Sequence, residues 1–333
     1  MASPIRVIQV GVGGMGSVWV QTVQDAPKVT HAALVDVNPR VLEAQALECG
    51  KGSSHCYTNL ATALKDVEAD GLINVTPPQF HEEVCCAALE AGLPVLTEKP
   101  LSDGMASARR MVAAAEKAGK TLMVAQNYRY QAFAPTLRRL VASGDLGAPG
   151  QVHVSFAKGP HFGGFREEMD HPLIVDMSIH HFDMLRYFLG ADPVVVSGQS
   201  WNPSWSWFKG DASTALHFAF EDGIHASYTG SWCSTGAETS WNADWRIECE
   251  DGVYVATNDV LYRAPTGEGP RAVSLDPMPL ARQAYLLDAF RRAVTEDVVP
   301  ETTGADNLKS LGMVFGAVEA VSSGNVVRLP LEN

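Results

Sequence analysis

The sequence predicts a two-domain protein in which an α/β domain with a parallel sheet is followed by an α+β domain with a largely antiparallel, open sheet. The chain has 333 residues, about twice the length of an ordinary domain. Through residue 126, short apolar runs alternate with stretches of helical periodicity, which is the pattern of right-handed βαβ units. After Gly150 the apolar runs follow one another, separated by turn dipeptides such as Asp222-Gly223. We therefore expect domains at residues 1–126 and 127–333.

Five strands and the helices between them account for the first domain. The strands are expected at Ile5–Val10, Thr30–Asp36, Gly71–Val75, Leu93–Thr97 and Thr121–Gln126. The helices are expected at Met15–Asp25, from Pro39 onward, at Gln79–Ala91, and from an Asp103 N-cap to Ala118. Gly92 and Gly119 follow the last two helices, and glycine favours helix ends because it adopts left-handed backbone conformations without strain.

Strands predominate in the second domain. They are expected at Gln151–Phe156, Val194–Ser200, Ala212–Phe220, Ile224–Ser231, Trp245–Glu250, Gly252–Thr257 and Val260–Arg263. One strong helix is expected among them at Leu173–Leu189, and two helical stretches, near Leu280–Thr295 and Ala305–Ser323, close the chain.

Composition and charge exclude several classes of protein. Hydrophobic residues make up 46% of the chain and charged residues 19%, a composition that can bury a core and is not typical of disordered or fibrous chains. The net charge of −13, with no basic stripe, argues against nucleic acid as a partner. No apolar run is long enough to cross a membrane, and the strand at Ile5 leaves no room for a signal peptide. We expect a cytoplasmic protein that binds neither nucleic acid nor membrane.

The cysteines and histidines give no metal motif. The six cysteines show no CxxC spacing, which is typical of a reducing compartment and provides no zinc site. His161 and His171 could join His180 around a metal, but no HxxxH or HxH motif supports this arrangement. We therefore expect no metal.

A glycine-rich segment of the form GxGxxG joins the first strand to the first helix. Its residues are Gly11, Val12, Gly13, Gly14, Met15 and Gly16. The first glycine permits the tight turn, the second lets the backbone approach a pyrophosphate at the helix N-terminus, and the third permits close helix–strand packing. A structural glycine turn is the alternative, but the flanking strand and helix and the acid twenty residues beyond favour a dinucleotide. The motif predicts an N-terminal Rossmann dinucleotide-binding domain.

Asp36, at the end of the second strand, is that acid. Its carboxylate can accept hydrogen bonds from both adenosine ribose hydroxyls, and its charge repels a 2′-phosphate, so NAD is favoured over NADP. Arg40 lies four residues further on and could reach a phosphate, or it could be a solvated helix residue. NAD is therefore the expected cofactor, with NADP as the alternative.

Three residues are candidates for catalysis. Lys99 follows the fourth predicted strand, at the sheet edge where ligands of such folds bind, although a lysine there also fits a solvated loop. Asp176 and His180 are four residues apart on the predicted helix and so share one face. A carboxylate beside an imidazole supports proton transfer, although the same spacing occurs in ordinary pairs. His181 and Asp183 fall on other faces and are weaker candidates.

Four motifs, in this order, resemble those of the Gfo/Idh/MocA family of oxidoreductases, which includes glucose–fructose oxidoreductase and inositol dehydrogenase. The resemblance covers nearly the whole chain. They are Val10 to Gly16, Thr76-Pro77 with His81 downstream, Glu98-Lys99-Pro100, and the segment from Asp176 to His180. The resemblance implies that His180 is the general base on the reacting hydroxyl, that Asp176 orients it, and that Lys99 holds the same oxygen.

The predicted ligand contacts combine these motifs with the residues above. The cofactor contacts are Gly11, Gly13, Gly14, Met15, Gly16, Asp36, Arg40, Thr76, Pro77, His81, Glu98 and Lys99. The substrate contacts are Lys99, Tyr128, Arg129, His180 and Trp241. Many family members have a GGG segment just before the helix, where this chain has Met169-Asp170-His171-Pro172-Leu173, and this departure leaves the substrate open.

Tryptophan is concentrated in the second domain. Six of the seven fall in one stretch: Trp201, Trp205, Trp207, Trp232, Trp241 and Trp245. Indole rings stack on sugars, but they are also common in sheet cores and at oligomer interfaces. We expect core or interface positions for most of them and a substrate contact for Trp241. So aromatic a sheet also predicts a homodimer or homotetramer formed through the C-terminal sheet.

Together these features predict an NAD(P)-dependent oxidoreductase that transfers a hydride between nicotinamide and a secondary alcohol of a sugar, cyclitol or glycoside. The expected partner is a small carbohydrate or polyol. One alternative is a glycoside-cleaving enzyme with tightly bound NAD and transient oxidation, which a non-exchanging cofactor would favour. Another is a non-catalytic, dinucleotide-regulated binding protein, against which the presence of Lys99, Asp176 and His180 argues.

Overall fold

The computed structural model describes residues 3–50 and 55–331 and divides the chain into two compact units. The first comprises Met1–Asn127 and Leu280–Leu308, and the second comprises Tyr128–Pro279 and Lys309–Asn333. The main boundary lies one residue beyond the predicted one. The structure corrects the predicted domains in one respect, because Leu280–Leu308 belongs to the first unit rather than the second.

The first unit contains a parallel sheet, as predicted. Its strands are β1 (Ile5–Val10), β2 (Val29–Val35), β3 (Cys56–Tyr57), β4 (Gly71–Asn74), β5 (Val95–Thr97) and β6 (Leu122–Val124). In the described part of the chain their order is β3-β2-β1-β4-β5-β6, and all neighbours are parallel. The carboxyl ends of these strands therefore share one edge, where the GxGxxG loop, Asp36, Thr76 and Lys99 follow β1, β2, β4 and β5.

Helices connect these strands. They are α1 (Met15–Asp25), α2 (Pro39–Glu48), α3 (Leu60–Asp66), α4 (His81–Glu90) and α5 (Met105–Ala118). A 3₁₀ turn at Pro78–Phe80 precedes α4. The predicted Asp103 N-cap is wrong: Gly104 occupies that position, and the Asp103 carboxylate accepts hydrogen bonds from the hydroxyls of Ser102 and Ser107 instead. Gly119 ends α5 in the left-handed conformation, as expected.

The second unit contains a larger sheet of mixed pairing. Its strands are β7 (Pro149–Ala157), β8 (Pro193–Trp201), β9 (Ser213–Phe220), β10 (His225–Ser231), β11 (Asp244–Cys249), β12 (Gly252–Thr257), β13 (Val260–Pro265), β14 (Arg271–Ala272) and β15 (Val327–Arg328). Their order is β14-β13-β12-β11-β7-β10-β9-β8-β15. Pairing is antiparallel except between β7 and β10, which agrees with the largely antiparallel prediction.

Helices contribute to the core of the second unit beside its sheet, and two of them lie wholly within this unit. They are α6 (Ala134–Ser143) and α7 (Ser178–Leu189), which pack against each other. On α7, Phe182 contacts Phe218 and Tyr228 edge-on, at centroid distances of 5.0 and 5.3 Å, and Phe188 contacts Trp245 at 4.9 Å. Each such fully buried side chain contributes about 1.5–3 kcal/mol of hydrophobic stabilisation, so α7 is held firmly on the sheet.

The predicted helix at Leu173–Leu189 is not a single α-helix. Residues Leu173–Met177 form a π-helical turn, and α7 begins at Ser178. The Ser178 N–H donates to the Leu173 carbonyl, five residues back, so one more residue is accommodated in this turn than in an α-helix. The α-helical spacing assumed for Asp176 therefore does not apply at its position.

The C-terminal helices are α8 (Arg282–Glu296) and α9 (Gly304–Ser323). Helix α8 packs against α1, and the Phe290 ring lies so close to Gly71 that a Cβ there would approach it to 2.8 Å. This packing explains why Leu280–Leu308 belongs to the first unit. None of the helices in the described ranges is both long and apolar enough to span a membrane.

Candidate active site

The glycine loop after β1 is packed too tightly for side chains at two positions. Gly11 has a φ of +84°, and a Cβ there would lie 2.6 Å from the Val75 carbonyl oxygen. A Cβ on Gly16 would lie 2.4 Å from the Gly11 carbonyl oxygen, so helix and loop are in direct backbone contact. Gly14 is the N-cap of α1 and provides no side-chain cap. The first turn of α1 therefore offers backbone N–H groups of the kind that bind phosphate.

Gln9 supports this loop and was not predicted as part of the site. Its buried side-chain amide donates to the carbonyls of Gly11 and Gly16, at 3.1 and 2.8 Å. Its amide oxygen lies 3.0 Å from Nε2 of His31 on the neighbouring strand. The signal available in the sequence was a polar residue, Gln9, between apolar residues near the end of the strand.

Asp36 follows β2, and backbone groups hold its carboxylate. Oδ2 accepts a hydrogen bond from the Val12 N–H at 3.0 Å, and Oδ1 accepts one from the Asn38 N–H at 2.9 Å. Each oxygen keeps a further lone pair for ribose hydroxyls. Arg40 is exposed in the first turn of α2, and its backbone N–H donates to Asn38.

The loop after β4 is fixed by side chains around it. The Thr76 hydroxyl donates to Oδ1 of Asn74 at 2.8 Å. His81 is completely buried, with Nε2 2.8 Å from the Thr76 carbonyl and Nδ1 2.9 Å from the Pro100 carbonyl. Burial lowers the pKa of His81 despite these hydrogen bonds. Both ring nitrogens face backbone carbonyls, so His81 joins the two loops, and its predicted cofactor contact stays a prediction. Pro77 is exposed.

Glu98 and Lys99 follow β5. Glu98 accepts a hydrogen bond from the indole N–H of buried Trp19 at 2.7 Å, and its other oxygen accepts the Lys99 backbone N–H at 3.0 Å. The Lys99–Pro100 peptide bond is cis, and Lys99 is half-buried. Glu98 is thus tied to α1, the helix that begins at the glycine loop.

In the second unit, His180 lies at the start of α7 and Tyr128 lies beside it. The two rings are stacked, with centroids 4.0 Å apart, and His180 is buried. Asp176 sits in the π-helical turn that leads into α7. Its Oδ2 accepts a hydrogen bond from Nε of Arg166 at 2.6 Å, a partner that the sequence did not indicate.

His181, the next residue of α7, is held in the interior of the second unit. It is completely buried, its Nε2 is 3.0 Å from the Trp241 carbonyl, and its Nδ1 is 3.1 Å from the Tyr228 hydroxyl. A carbonyl only accepts, so Nε2 carries the proton and Nδ1 accepts from Tyr228, whose oxygen accepts from Ser178. Burial lowers the pKa of His181 from 6.5 to about 4 and raises that of Tyr228.

Arg129 occupies a buried ion pair. Its Nε and one terminal amino group donate to the two oxygens of Asp183 on α7, each at 2.6 Å. Ser310 on α9 also donates to Asp183, at 2.6 Å, and receives a hydrogen bond from Arg186. Arg129 therefore pairs with a buried carboxylate in the interior of the second unit. Its predicted substrate contact stays a prediction.

The tryptophans divide into two groups. Trp232 and Trp245 are buried, as expected for core residues. Trp201 and Trp205 are exposed, so the core interpretation does not apply to them, and Trp207 is half-buried with its ring stacked on His161 at 3.8 Å. Trp241 is 39% exposed, and the ammonium group of Lys158 lies over its ring at 5.4 Å.

The histidines considered for a metal do not converge. His161 stacks on Trp207, and His171 faces the hydroxyls of Ser200 and Ser322, each at 3.4 Å. Across residues 3–50 and 55–331, no group of three or more His, Cys, Asp or Glu side chains is arranged to hold a metal ion.

Comparison with known families matches both parts of the chain. Residues 5–126 match the Gfo/Idh/MocA model described as an oxidoreductase family with an NAD-binding Rossmann fold. Residues 135–255 match the model of the Gfo/Idh/MocA C-terminal domain. The two matches lie in the first and second units, respectively.

Individual relatives cover most of the chain. An uncharacterized protein of Sinorhizobium fredii is 29% identical over 345 residues, covering 97% of this chain and 95% of that protein. The 1,5-anhydro-D-fructose reductase of Ensifer adhaerens is 29% identical, covering 86% of this chain and 87% of that enzyme. A solved oxidoreductase from Agrobacterium radiobacter, in complex with NAD+, L-tartaric acid and magnesium, superposes with a TM-score of 0.90 at 21% identity, covering 98% of each chain.

Proposed function

We propose that this chain, which belongs to the Gfo/Idh/MocA family of oxidoreductases and whose first unit is an NAD-binding Rossmann domain, is a dehydrogenase of sugars, cyclitols or glycosides. In this proposal it transfers a hydride between nicotinamide and a secondary alcohol. The observation that carries the proposal is the glycine loop without room for side chains at Gly11 and Gly16, beside the fixed carboxylate of Asp36. The named relative that reduces 1,5-anhydro-D-fructose supports a carbohydrate substrate.

The residues of the first unit fit a dinucleotide. The uncapped first turn of α1 suits the pyrophosphate, with Gly13, Gly14 and Met15 as backbone contacts. The carboxylate of Asp36 suits the two ribose hydroxyls and opposes a 2′-phosphate, which supports NAD over NADP. Thr76, Pro77, Glu98 and Lys99 follow strands β4 and β5 at the same sheet edge and are proposed to lie toward the nicotinamide. Arg40 is proposed to lie beside the adenosine ribose.

The proposed chemistry assigns one task to each catalytic residue. Bound NAD would supply the acceptor for the hydride of the substrate carbon. His180 accepts the hydroxyl proton on a ring nitrogen, and Asp176 orients His180. The Lys99 ammonium group stabilises the substrate oxygen as negative charge develops on it. Tyr128 holds the imidazole plane through the ring stack and borders the substrate. Trp241 is proposed as a further substrate contact because it is 39% exposed.

The remaining expectations complete the proposal. We place the protein in the cytoplasm, as a homodimer or homotetramer formed through the sheet of the second unit. One face of this sheet packs against α7, and on β7, β10 and β11 the residues of the other face include exposed His153, Thr229 and Arg246. Sedimentation velocity measures the assembly directly.

A substrate screen tests the proposed activity. Polyols, aldoses and glycosides are incubated with the protein and either NAD or NADP, and nicotinamide reduction is followed by absorbance. We expect reduction of NAD with at least one polyhydroxylated compound. Binding of NAD without turnover of any compound in the three classes would contradict the proposed dehydrogenase.

A further inference from the structure

Arg166 joins the proposed catalytic carboxylate to the surface of the second unit. It lies in a 3₁₀ turn at Gly164–Glu168, and its Nε donates to Oδ2 of Asp176 at 2.6 Å. The guanidinium group is planar, so this contact aligns its two terminal amino groups as a fork beside Asp176. The side chain of Arg166 is 36% exposed. The fork therefore reaches solvent next to a residue of the proposed catalytic set.

Two aromatic rings hold the guanidinium group in place. Its central carbon lies 5.3 Å from the ring centre of Phe162 and 4.8 Å from that of Phe165. Both rings are themselves exposed, so they form a surface around the cation without covering it. Cation–π contacts of this kind favour Arg over Lys and reduce the rotational freedom of the side chain.

The terminal amino groups of Arg166 donate no hydrogen bond in the described part of the chain. Within residues 3–50 and 55–331, the structure gives them no hydrogen-bond acceptor, and the sole ion pair of the side chain runs through Nε. The adjacent acids are directed elsewhere: Glu167 accepts the Gly163 N–H, and Glu168 faces Lys209. Four N–H donors of a fixed cation thus remain open to a ligand.

We infer that Arg166 is a specificity-determining residue that binds a carboxylate group of the substrate. The substrate class is then a polyhydroxylated acid, such as a uronic or aldonic acid, rather than a neutral sugar. The free edge of a guanidinium group donates two parallel hydrogen bonds to the two oxygens of a carboxylate. A neutral hydroxyl has one oxygen and cannot accept both hydrogen bonds in this geometry. This inference rests on the proposed function, because it places Asp176 beside the reacting substrate.

The test compares matched acidic and neutral compounds. The pairs are D-glucuronate with D-glucose and D-gluconate with D-glucitol, each measured for NAD reduction and for binding to the NAD-loaded protein by titration calorimetry. We expect the wild type to bind the acid of at least one pair about 10- to 100-fold more tightly than its neutral partner. Arg166→Gln should remove this preference and leave binding of the neutral compound within about threefold.

Two further variants control for indirect effects. Arg166→Lys keeps the positive charge but lacks the planar fork of N–H donors. It should fold and keep only part of the preference for acidic over neutral compounds. This variant keeps the inference testable if Arg166→Gln is unstable. Arg271→Gln removes a 79% exposed arginine that pairs with Glu268, and it should behave as the wild type. Arg271→Gln changes the net charge by the same amount as Arg166→Gln and is therefore the matched control.

Each outcome decides the inference. Equal or weaker binding of the acids than of the neutral compounds by the wild type would overturn the inference. An equal loss of affinity for acidic and neutral compounds in Arg166→Gln would also overturn it, because Arg166 would then only hold Asp176 in position. Absence of NAD reduction with every compound would count against the proposed function, while the calorimetric comparison would still decide the role of Arg166.

Discussion

The imidazole ring of His180 lies nearly flat against the phenol ring of Tyr128, with centroids 4.0 Å apart and planes inclined by 21°. His180 is only 6% exposed, so the stack and the surrounding core of α7 fix the plane of the imidazole. A fixed ring directs its nitrogens along fixed lines, which a general base requires because proton transfer depends on alignment with the donor. Tyr128 is therefore a positioning residue for His180.

His180→Ala should lower kcat by about 10²- to 10⁴-fold on a substrate found in the screen. NAD affinity should stay nearly unchanged, because the proposed dinucleotide contacts all belong to the first unit. Steady-state kinetics and NAD titration measure the two quantities. The control is His153→Ala, which removes an exposed histidine of β7. Wild-type turnover in His180→Ala would exclude His180 as the base and direct the search to Lys99.

NAD should bind at least about tenfold more tightly than NADP, because the Asp36 carboxylate repels a 2′-phosphate. Asp36→Asn should narrow this ratio, since the amide keeps the size of the side chain and loses its charge. Isothermal titration of wild type and variant with both cofactors gives the four dissociation constants. Tighter NADP binding by the wild type would mean that Arg40 dominates the site.

His181 should make stability depend on pH. Its folded-state pKa is lowered by burial from 6.5 to about 4, so between these values the unfolded chain binds more protons than the folded one. The contribution of His181 to the free energy of unfolding should therefore be fully present above pH 6.5 and should decrease as the pH is lowered toward 4. The full loss from this residue is about 3 kcal/mol.

Urea unfolding at several pH values measures this dependence. His181→Gln should be less stable at neutral pH, because two buried hydrogen bonds are disturbed, but its free energy of unfolding should fall less steeply between pH 6.5 and 4. His81, whose pKa is also lowered, contributes the same sign in both proteins. Parallel pH curves for wild type and variant would contradict the assignment to His181.

Asp183→Leu should destabilise the protein by about 3–5 kcal/mol, since it leaves the Arg129 guanidinium group buried without its carboxylate. The double variant Arg129→Met/Asp183→Leu should cost less than the single change, because no unpaired charge remains. Asp276→Leu breaks the exposed pair with Arg139 and should cost about 1 kcal/mol or less. Equal losses for Asp183→Leu and Asp276→Leu, measured by urea unfolding, would contradict this account.

Regular hydrophobic patterns made much of the fold predictable. Strands β1 and β12 and helix α1 agree with the prediction residue for residue, because each has a clear period and a glycine or turn at its ends. Helix α6 was missed although Ala134, Leu137 and Val141 form an apolar face. Strand β3 was missed because two residues carry no period. The π-helical turn leaves no mark in the pattern, since its extra residue is accommodated by tertiary packing.

The motifs indicated which residues are candidates for the site, but they did not indicate the contacts of these residues. Glycine spacing and the position of Asp36 depend on local backbone geometry, which a sequence displays directly. The pairing of Arg166 with Asp176 and that of Arg129 with Asp183 depend on how distant segments meet, and no spacing rule reports this. Position in a motif likewise did not reveal that His81 faces two backbone carbonyls.

The return of Leu280–Leu308 to the first unit sets an order of events during protein synthesis. When residue 127 leaves the ribosome, α1 and Gly71 still lack α8, the helix that covers them. The intervening residues 128–279 require roughly 8 to 30 s at ordinary rates of translation. For that interval the nascent dinucleotide domain exposes an apolar surface that chaperones can bind, and its folding is completed after most of the second unit has been made.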